Sequence, residues 1–348
     1  MQVSRLEQDT EGYEQETNQF AVDVLTGLSS TTKRLSAKYF YDDIGSELFR
    51  AISQHKDYYL TRTEYEILDS ISNRLPDILG EDEVDIIELG AGDGHKSKLI
   101  IDGFLMAGRS VNFYPIDISG KAMDILGETI HETPNLSVQG LVGDYFDGLR
   151  FVRERSAKRQ LVLFLGSNIG NFNRIQSQGF LHRLYDSLNA GDYVLIGFDL
   201  KKDIAELITA YSDSSNYTRD FNLNLLARIN RELGGNFDLS GFQHYAVYNP
   251  VLGAMESYLL ALQEQRVFIE ALQREFSFTA FEPIHLEYSF KFLPADIEFL
   301  SRQTRYTIVE NFTDPHARFI DSLWQVNRTG GNIQQIPKTI ANDRAPGE

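Results

Sequence analysis

Short apolar runs alternate with amphipathic segments between about residue 84 and residue 199. The apolar runs predict β-strands at residues 84–89, 112–118, 137–142, 161–165 and 193–198. The segments between them repeat apolar residues at helical spacing, and the clearest predicted helices are 96–107, 120–131 and 174–188. Short strands that alternate with such helices predict an α/β fold, in which helices cover both faces of a mostly parallel sheet.

The alternation ends after residue 199. Residues 200–286 are rich in helix formers and predict helices at 205–212, 221–233 and 255–272. Residues 287–292 and 306–312 alternate like strands, with a helix at 294–302 between them, and we expect both to return to the main sheet. Ahead of the sheet, the spacing of Thr61 and Glu64 predicts a helix that is capped at Thr61 and runs to residue 73.

Both ends of the chain are polar. Residues 1–18 are acidic, and we expect a disordered N-terminus there. The segment 328–348 contains Gly, Asn and Pro among polar residues and predicts a polar tail. The folded part is therefore expected to lie between these two segments.

Composition excludes several classes of function. The chain of 348 residues is 42% hydrophobic and 12% aromatic, which is typical of a globular enzyme. Its net charge of −17 argues against nucleic acid or an anionic membrane as a partner. With no cysteine it has neither disulfides nor thiolate nucleophiles, and its seven histidines lack metal-ligand spacing, so no metal is expected. No apolar run is long enough to cross a membrane, and we expect a cytoplasmic protein.

A glycine-rich turn joins the first predicted strand of the sheet to a helix. It reads Glu-x-Gly-x-Gly-x-Gly, with Glu88 followed by Gly90, Gly92 and Gly94. Glycines allow the backbone to approach a ligand closely, and the next helix begins with unpaired N–H groups. The third glycine comes one residue early for a dinucleotide turn, and His95 interrupts the end of a P-loop. On the turn alone, an S-adenosylmethionine (SAM) site, an NAD site and a structural connection all stay open.

Acidic residues at the ends of the next two strands favour the first of these ligands. Asp117 ends the second strand and Asp144 follows the third. Ligands of open parallel sheets bind at the carboxyl ends of the strands, where Asp117 could accept hydrogen bonds from two ribose hydroxyls and Asp144, with Tyr145, could meet an adenine amine. The pattern resembles the SAM turn of class I methyltransferases.

Longer motifs resemble one particular family. They are YFYDDIGSELF (39–49), YYLTRTE (58–64), ELGAGDGHK (88–96), FLGSNIGN (164–171), FNLNLL (221–226) with NREL (230–233), and EYSFKF (287–292). Together they are similar to the histidine-specific methyltransferases, which include the histidine Nα-trimethyltransferases of ergothioneine biosynthesis. The similarity covers roughly residues 20–326.

The resemblance implies a donor site, an acceptor site and a division of the chain. Residues 62–199 plus 287–326 would form a Rossmann-like SAM-binding domain, and residues 19–61 plus 200–286 a second, mainly helical substrate-binding domain. The residues that match the family's donor site are Phe49, Gly90, Lys96, Asp117, Asp144 and Tyr145. Those that match its acceptor site are Tyr58, Asn171 and Tyr211 for the amino and carboxylate groups and Glu287 and Ser289 for the imidazole. Tyr41 and Asn171 match positions at the reacting centre.

The implied reaction is methyl transfer from SAM to the neutral α-amine of free L-histidine, up to trimethylation. An in-line displacement of this kind requires alignment more than a strong base. We expect a monomer whose small-molecule partner is an amino acid.

One position departs from the family pattern. Ser257, or Met255 if the match slips by two residues, stands where histidine enzymes of the family carry a methionine beside the imidazole. An altered pocket could prefer another amino acid, such as tryptophan or tyrosine, whereas Glu287 and Ser289 argue for histidine. The residues also leave room for a catalytically idle relative that binds a ligand and, more distantly, for an NAD-dependent oxidoreductase.

Overall fold

The structure, a computed structural model, describes residues 1–6 and 10–328. Its strands are β1 (Gln2–Arg5), β2 (Glu83–Leu89), β3 (Ser110–Asp117), β4 (Leu136–Val142), β5 (Arg159–Phe164), β6 (Tyr193–Asp199), β7 (Phe242–Asn249), β8 (Ala254–Ala261), β9 (Gln265–Ile269), β10 (Arg274–Phe278), β11 (Pro283–Phe290), β12 (Tyr306–Thr313) and β13 (Phe319–Val326). Its α-helices are α1 (Thr10–Leu28), α2 (Asp43–Gln54), α3 (Tyr59–Ile71), α4 (Leu75–Leu79), α5 (His95–Met106), α6 (Gly120–Thr129), α7 (Tyr145–Arg155), α8 (Arg174–Ser187), α9 (Ile204–Tyr211), α10 (Tyr217–Leu233) and α11 (Pro294–Gln303).

The main sheet has the order β1-β4-β3-β2-β5-β6-β13-β12. The strands β1 to β6 are parallel to their neighbours, and β13 lies antiparallel between β6 and β12. The chain moves outward from β2 to β4 and then returns to the other side of β2 with β5. This reversal opens a crevice at the carboxyl ends of β2 and β5, where ligands of such sheets bind. The predicted α/β fold with a Rossmann-like sheet is confirmed.

The local pattern predicted the elements of this sheet well. The five predicted strands and the three clearest helices are present, and their ends differ from the predicted ones by at most two residues. The helix predicted at 294–302 and the strand predicted at 306–312 correspond to α11 and β12. The buried strand β13 was missed because its polar residues Asp321 and Ser322 interrupt the apolar run.

The second unit combines helices with two small sheets that the sequence did not predict. The helices α9 and α10 are present, but β8, β7 and β11 form an antiparallel sheet, and β9 pairs with β10. The helix predicted at 255–272 is replaced by β8 and β9. Nearly every residue of β8 is buried, so the period of two that identifies a half-exposed strand is missing from its sequence.

Residues 287–292 belong to a different sheet from the one predicted. They are extended as predicted, but they belong to β11, which pairs with β8 and not with the main sheet. The predicted domain boundary at residue 287 therefore falls inside a strand of the second unit. Alternation within a segment reports its conformation but does not identify the strand with which it pairs.

The N-terminal prediction is also wrong in part. Residues 2–5 form β1, a parallel edge strand on β4, and α1 begins at Thr10. The predicted polar tail lies outside the described residues from position 329 onward. The helix α3 begins at Tyr59, two residues before the predicted cap at Thr61, because Glu64 is directed into the core and does not return to the helix end.

Three large groups of buried apolar side chains hold these layers together. Two lie on opposite faces of the main sheet, one around Phe104 and Phe113 and the other around Phe198 and Trp324. The third lies between α1, α2, α10 and the small sheets. A smaller group, which includes Met255, joins α3 and α9 to β8. The candidate site described below lies between the main sheet and the second unit.

Two helical glycines should respond in opposite ways to replacement by alanine. A Cβ at Gly103 of α5 would lie 2.2 Å from the carbonyl oxygen of Ser72, whereas a Cβ at Gly179 of α8 would meet nothing within 4 Å. We predict that Gly103→Ala lowers the free energy of unfolding by about 1–3 kcal/mol. Gly179→Ala should raise it by about 0.5–1 kcal/mol, because alanine is the better helix former. Urea denaturation measures both, and a shift in the same direction would contradict this packing of α5 against α3.

Candidate active site

The glycine turn lies at the carboxyl end of β2 and leads into α5. Gly90, Gly92 and Gly94 have φ angles of 76°, 54° and 72°, a left-handed conformation that favours glycine. A Cβ at Gly90 would lie 2.9 Å from the hydroxyl of Tyr145 and 3.6 Å from the amide nitrogen of Asn168. The turn therefore exposes its backbone to the crevice, and a side chain at Gly90 would close the space beside Tyr145.

The two predicted donor carboxylates lie at the same edge of the sheet. Asp117 ends β3 and accepts a hydrogen bond from the backbone N–H of Ser119 at 2.9 Å. Burial raises the pKa of Asp117 above its ordinary value. Asp144 is the N-cap of α7 and accepts from the N–H of Phe146 at 2.8 Å, which brings Tyr145 into the first turn of that helix. Gly90, Asp117 and Tyr145 are thus brought together as predicted from their order in the sheet.

Lys96 makes a contact that the sequence did not predict. Its ammonium nitrogen lies 2.6 Å from a carboxylate oxygen of Glu64, whose side chain is 1% exposed. The other oxygen of Glu64 accepts from the backbone N–H of Gly166 at 2.7 Å. Burial, together with the neighbouring Glu64, raises the pKa of Asp321 on β13 well above its ordinary value. Glu64 therefore ties α3 to the start of α5 and to the loop after β5.

Glu88, the acidic residue of the motif, is buried beneath the turn. Burial raises its pKa to about 8, and one of its oxygens has no hydrogen-bond partner among the described residues. A group with this pKa is mostly protonated at neutral pH. Glu88 therefore contributes little negative charge to the crevice. Asp117 and Asp144 are the carboxylates there that could accept hydrogen bonds from a ligand.

A cavity next to the turn gathers the predicted acceptor residues. It is lined by Tyr41, Phe49, Ile52, Tyr58, Gly166, Ser167, Asn168, Asn171, Ala210, Tyr211, Thr218, Phe221, Asn222, Ser257, Glu287 and Ser289. Phe49, which the resemblance assigned to the donor, lines this cavity too. The predicted donor residues Gly90, Lys96, Asp117, Asp144 and Tyr145 lie outside it. Gly166 and Asn168 connect the two groups, since Gly166 approaches Lys96 and Asn168 approaches Gly90.

Aromatic rings form one side of the cavity. Successive ring centroids lie 5.5 Å apart from Tyr41 to Phe49, 6.3 Å from Phe49 to Tyr58 and 6.4 Å from Tyr58 to Tyr211. Burial raises the pKa of Tyr41 well above its ordinary value, and the nearby Glu287 adds to the effect. These hydroxyls therefore stay protonated, and their rings present π-faces that can stabilise a cation.

Another part of the cavity wall is formed by the paired strands β8 and β11. Glu287 and Ser257 are direct partners in the register and both line the cavity, whereas Met255 packs into the buried group around Tyr59 and Leu207. Ser257 therefore lines the cavity, whereas Met255 does not. Burial raises the pKa of Glu287 to about 7. Its carboxylate has no protein hydrogen-bond partner among the described residues, which leaves it able to receive a ligand.

A buried lysine below this strand was missed by the sequence analysis. The ammonium of Lys291 donates to the hydroxyls of Tyr211 at 2.7 Å and Ser289 at 2.8 Å, and it pairs with Asp199 at 2.8 Å. The two hydroxyl oxygens lie 2.6 Å apart. The signal was present in the sequence, because Glu287, Ser289 and Lys291 are spaced by two and share one face of an extended chain.

Asn171 does not cap the following helix, α8. The N-cap of α8 is Asn173, whose side chain accepts from the N–H groups of Ile175 and Gln176 at 3.0 Å each. Asn171 ends a short 3₁₀-helix (Asn168–Asn171) and lines the cavity. Among the described residues, no group of His, Asp or Glu side chains is arranged to hold a metal ion.

Comparison with known proteins identifies the family. The family described as "Histidine-specific methyltransferase, SAM-dependent" matches residues 20–326. The chain belongs to this family. It is therefore a SAM-dependent N-methyltransferase, and the glycine turn at Gly90 with the half-buried Asp117 fits the methyl donor that the family uses.

Three relatives illustrate the match. Histidine N-alpha-methyltransferase of Mycolicibacterium smegmatis is 37% identical over 86% of this chain and 93% of its own length. The protein of the same name from Mycobacterium tuberculosis is 37% identical over 78% of this chain and 84% of its own length. Ergothioneine biosynthesis protein 1 of Schizosaccharomyces pombe is 34% identical over 73% of this chain but only 33% of its own length. None of the helices in the described part of the chain has the length and apolar content needed to cross a membrane.

Replacement of Gly90 should separate donor binding from backbone strain. Gly90→Ala would place a methyl group against Tyr145, and we predict that it weakens binding of S-adenosylhomocysteine about tenfold or more. Gly108 has a similar φ of 73° and an open environment, so Gly108→Ala carries comparable strain away from the crevice. Isothermal titration calorimetry should show unchanged affinity for Gly108→Ala. Equal weakening in both variants would contradict the cradle.

Proposed function

We propose that the protein transfers methyl groups from SAM to the α-amine of free L-histidine, up to trimethylation. The observation that carries this proposal is the half-buried Glu287, which lines the cavity beside Ser289 and has no protein hydrogen-bond partner among the described residues. A ligand that fills the cavity would remove this carboxylate from water, which is costly without a donor, and an imidazole N–H supplies one. The match to two relatives named histidine N-alpha-methyltransferase supports the same acceptor.

In this proposal the donor lies at the carboxyl edge of β2, β3 and β4. Gly90 and Lys96 would hold its methionine part, Asp117 its ribose hydroxyls, and Asp144 with Tyr145 its adenine. The left-handed glycine turn and the position of Asp117 at the end of β3 support this arrangement. SAM supplies the electrophilic methyl group, and the turn brings no phosphate-binding chemistry to the site.

The acceptor would lie in the aromatic cavity with its α-amine toward the donor. Tyr58, Asn171 and Tyr211 would hold the amino and carboxylate groups, while Glu287 and Ser289 would hold the two nitrogens of the imidazole. Glu287 is an acceptor and Ser289 can donate, so the pair complements a neutral imidazole, which has one N–H and one lone pair. The donor unit would be the main sheet, and the acceptor unit the segments 19–61 and 200–290.

The chemistry that these residues supply is alignment rather than strong base catalysis. Transfer requires a neutral amine in line with the sulfonium carbon, and a well-oriented pair of reactants gains most of its rate from position. Tyr41 and Asn171 would hold the amine by hydrogen bonds as its proton leaves. The rings of Tyr41, Phe49 and Tyr58 would support the cation that grows with each methylation, at about 0.5–2 kcal/mol per contact.

A second candidate is methylation of another aromatic amino acid. Ser257 favours it, because this small polar residue lines the cavity beside Glu287, its partner in the strand register. By the resemblance, Ser257 stands where the family's histidine enzymes carry a methionine. A larger side chain such as that of tryptophan could use the extra room. An indole ring would leave the hydroxyl of Ser289 without an acceptor, so we rank this candidate below histidine.

An acceptor panel tests the proposal directly. Purified protein with SAM and each common L-amino acid should yield Nα-methylated histidine by mass spectrometry. We predict that Glu287→Ala lowers kcat/KM for histidine about 100-fold, with donor affinity changed less than about threefold. Glu275, on the exposed edge of the β9–β10 hairpin, provides the control, and Glu275→Ala should leave both values unchanged. Products confined to other amino acids would exclude the histidine acceptor.

The raised pKa of Glu287 should also make the stability of the ligand-free protein depend on pH. Its pKa is raised by burial to about 7 in the folded state, so the folded protein holds this proton to a higher pH than the unfolded chain. The stability that depends on the proton is present in acid and is lost as the pH rises through about 7. Relative to wild type, Glu287→Gln should therefore gain about 2–3 kcal/mol of unfolding free energy between about pH 5 and about pH 8. Urea denaturation across this range checks it, and a pH-independent difference would contradict the burial of Glu287.

A further inference from the structure

The Lys291 ammonium is surrounded by protein acceptors. It donates to the hydroxyls of Tyr211 and Ser289 at 2.7 and 2.8 Å, and it forms an ion pair with a carboxylate oxygen of Asp199 at 2.8 Å. The Lys291 side chain and the Asp199 side chain are both fully buried. An ammonium only donates hydrogen bonds, so each hydroxyl must use a lone pair of its oxygen to accept from Lys291.

The contact between the two hydroxyls fixes the remaining protons. Their oxygens lie 2.6 Å apart, so one hydroxyl donates to the other. Either hydroxyl could be the donor by position, and we assign Tyr211 as the donor and Ser289 as the acceptor because a phenol is the more acidic group. Both lone pairs of the Ser289 oxygen are then occupied, one by Lys291 and one by Tyr211. Ser289 retains one capacity, which is to donate its own proton into the cavity.

Glu287, two residues earlier on the same strand face, has the opposite capacity. It lines the cavity, and its carboxylate can only accept when ionised. The side-chain end of the cavity therefore offers one acceptor, the ionised Glu287, and one donor, Ser289. Neutral imidazole satisfies both. An indole or pyrrole ring offers an N–H but no acceptor, so the Ser289 proton would be buried without a partner.

We propose that Lys291 is a positioning residue that makes Ser289 an obligate donor and thereby selects acceptors whose ring carries both an N–H and an unprotonated nitrogen. This inference rests on the proposed histidine acceptor and adds the group that sets the polarity of the pocket. Lys291 acts through Tyr211 and Ser289 and needs no contact with the substrate itself.

The structure provides a matched control in Lys202. Its ammonium pairs with the same carboxylate, Asp199, and donates to the hydroxyl of Tyr59 at 2.7 Å. It has no contact with Tyr211 or Ser289 among the described residues. Removal of either lysine disturbs the charge around Asp199, but removal of Lys291 alone releases the two hydroxyls. Asp199 keeps one lysine and Tyr59 in both variants, which limits the cost to folding.

The experiment compares L-histidine with 3-(pyrrol-3-yl)-L-alanine, which keeps an N–H but has no acceptor nitrogen. In Lys291→Met, kcat/KM for histidine should fall about tenfold or more through KM, while that for the pyrrole analogue should change less than about threefold. Lys202→Met should leave the ratio of the two within about twofold. Calorimetry with S-adenosylhomocysteine and thermal denaturation verify that both variants are folded. If Lys291→Met does not fold, Lys291→Gln, which keeps a shorter donor, should show a smaller change of the same sign.

Each outcome bears on a separate claim. Failure of the wild-type protein to methylate histidine would overturn the proposed function and this inference with it. Histidine turnover with an unchanged ratio in the Lys291 variants would overturn the role of Lys291 alone. An equal change of the ratio in Lys202→Met would assign the effect to Asp199 and would also overturn it.

Discussion

The buried carboxylate of Asp199 is the constraint on which the meeting of the two units depends. It lies at the end of β6 and is fully buried, so water cannot compensate its charge. Tyr59 from α3, Lys202 from the following loop and Lys291 from the end of β11 all contact it. Loss of one partner from a buried ion cluster leaves uncompensated charge, which makes the arrangement of these three segments mutually dependent. The geometry of the proposed acceptor pocket depends on this arrangement around Asp199.

A second buried carboxylate extends the same logic to the donor side. Glu64 holds Lys96 at the start of α5 and the N–H of Gly166 after β5. The next residue, Ser167, accepts a hydrogen bond from the backbone N–H of Asp199 at 3.0 Å. The loop after β5 is thus fixed from both sides, by Glu64 toward the donor turn and by Asp199 toward the acceptor pocket. Methyl transfer tolerates little error in distance, and one short loop that belongs to both networks is a direct way to set it.

The sequence predicted what depends on local order. The glycine turn and Asp117 could be placed because parallel strands align their carboxyl ends, whatever the rest of the chain does. Local spacing makes Glu64 a helix cap, since its true partners Lys96 and Gly166 lie far along the chain. The pairing of β11 with β8, the edge strand β1 and the buried Asp321 of β13 depend equally on distant contacts. Periodicity reports the conformation of a segment, but long-range pairing decides which sheet it joins.

The residues proposed to bind the donor and those proposed to bind the acceptor lie on different parts of the fold. Gly90, Asp117 and Asp144 lie at the carboxyl edge of the main sheet, whereas Ser257, Glu287 and Ser289 lie on paired strands of the small sheet. A change at position 257 can therefore alter the room around the acceptor without touching the residues of the donor turn. In the proposed pocket, polarity is harder to change than size, because the donor direction inferred for Ser289 is tied through Lys291 to the Asp199 cluster. Substitutions that widen the pocket should then be better tolerated than those that remove its fixed donor, since the latter disturb a charge that also holds the units together.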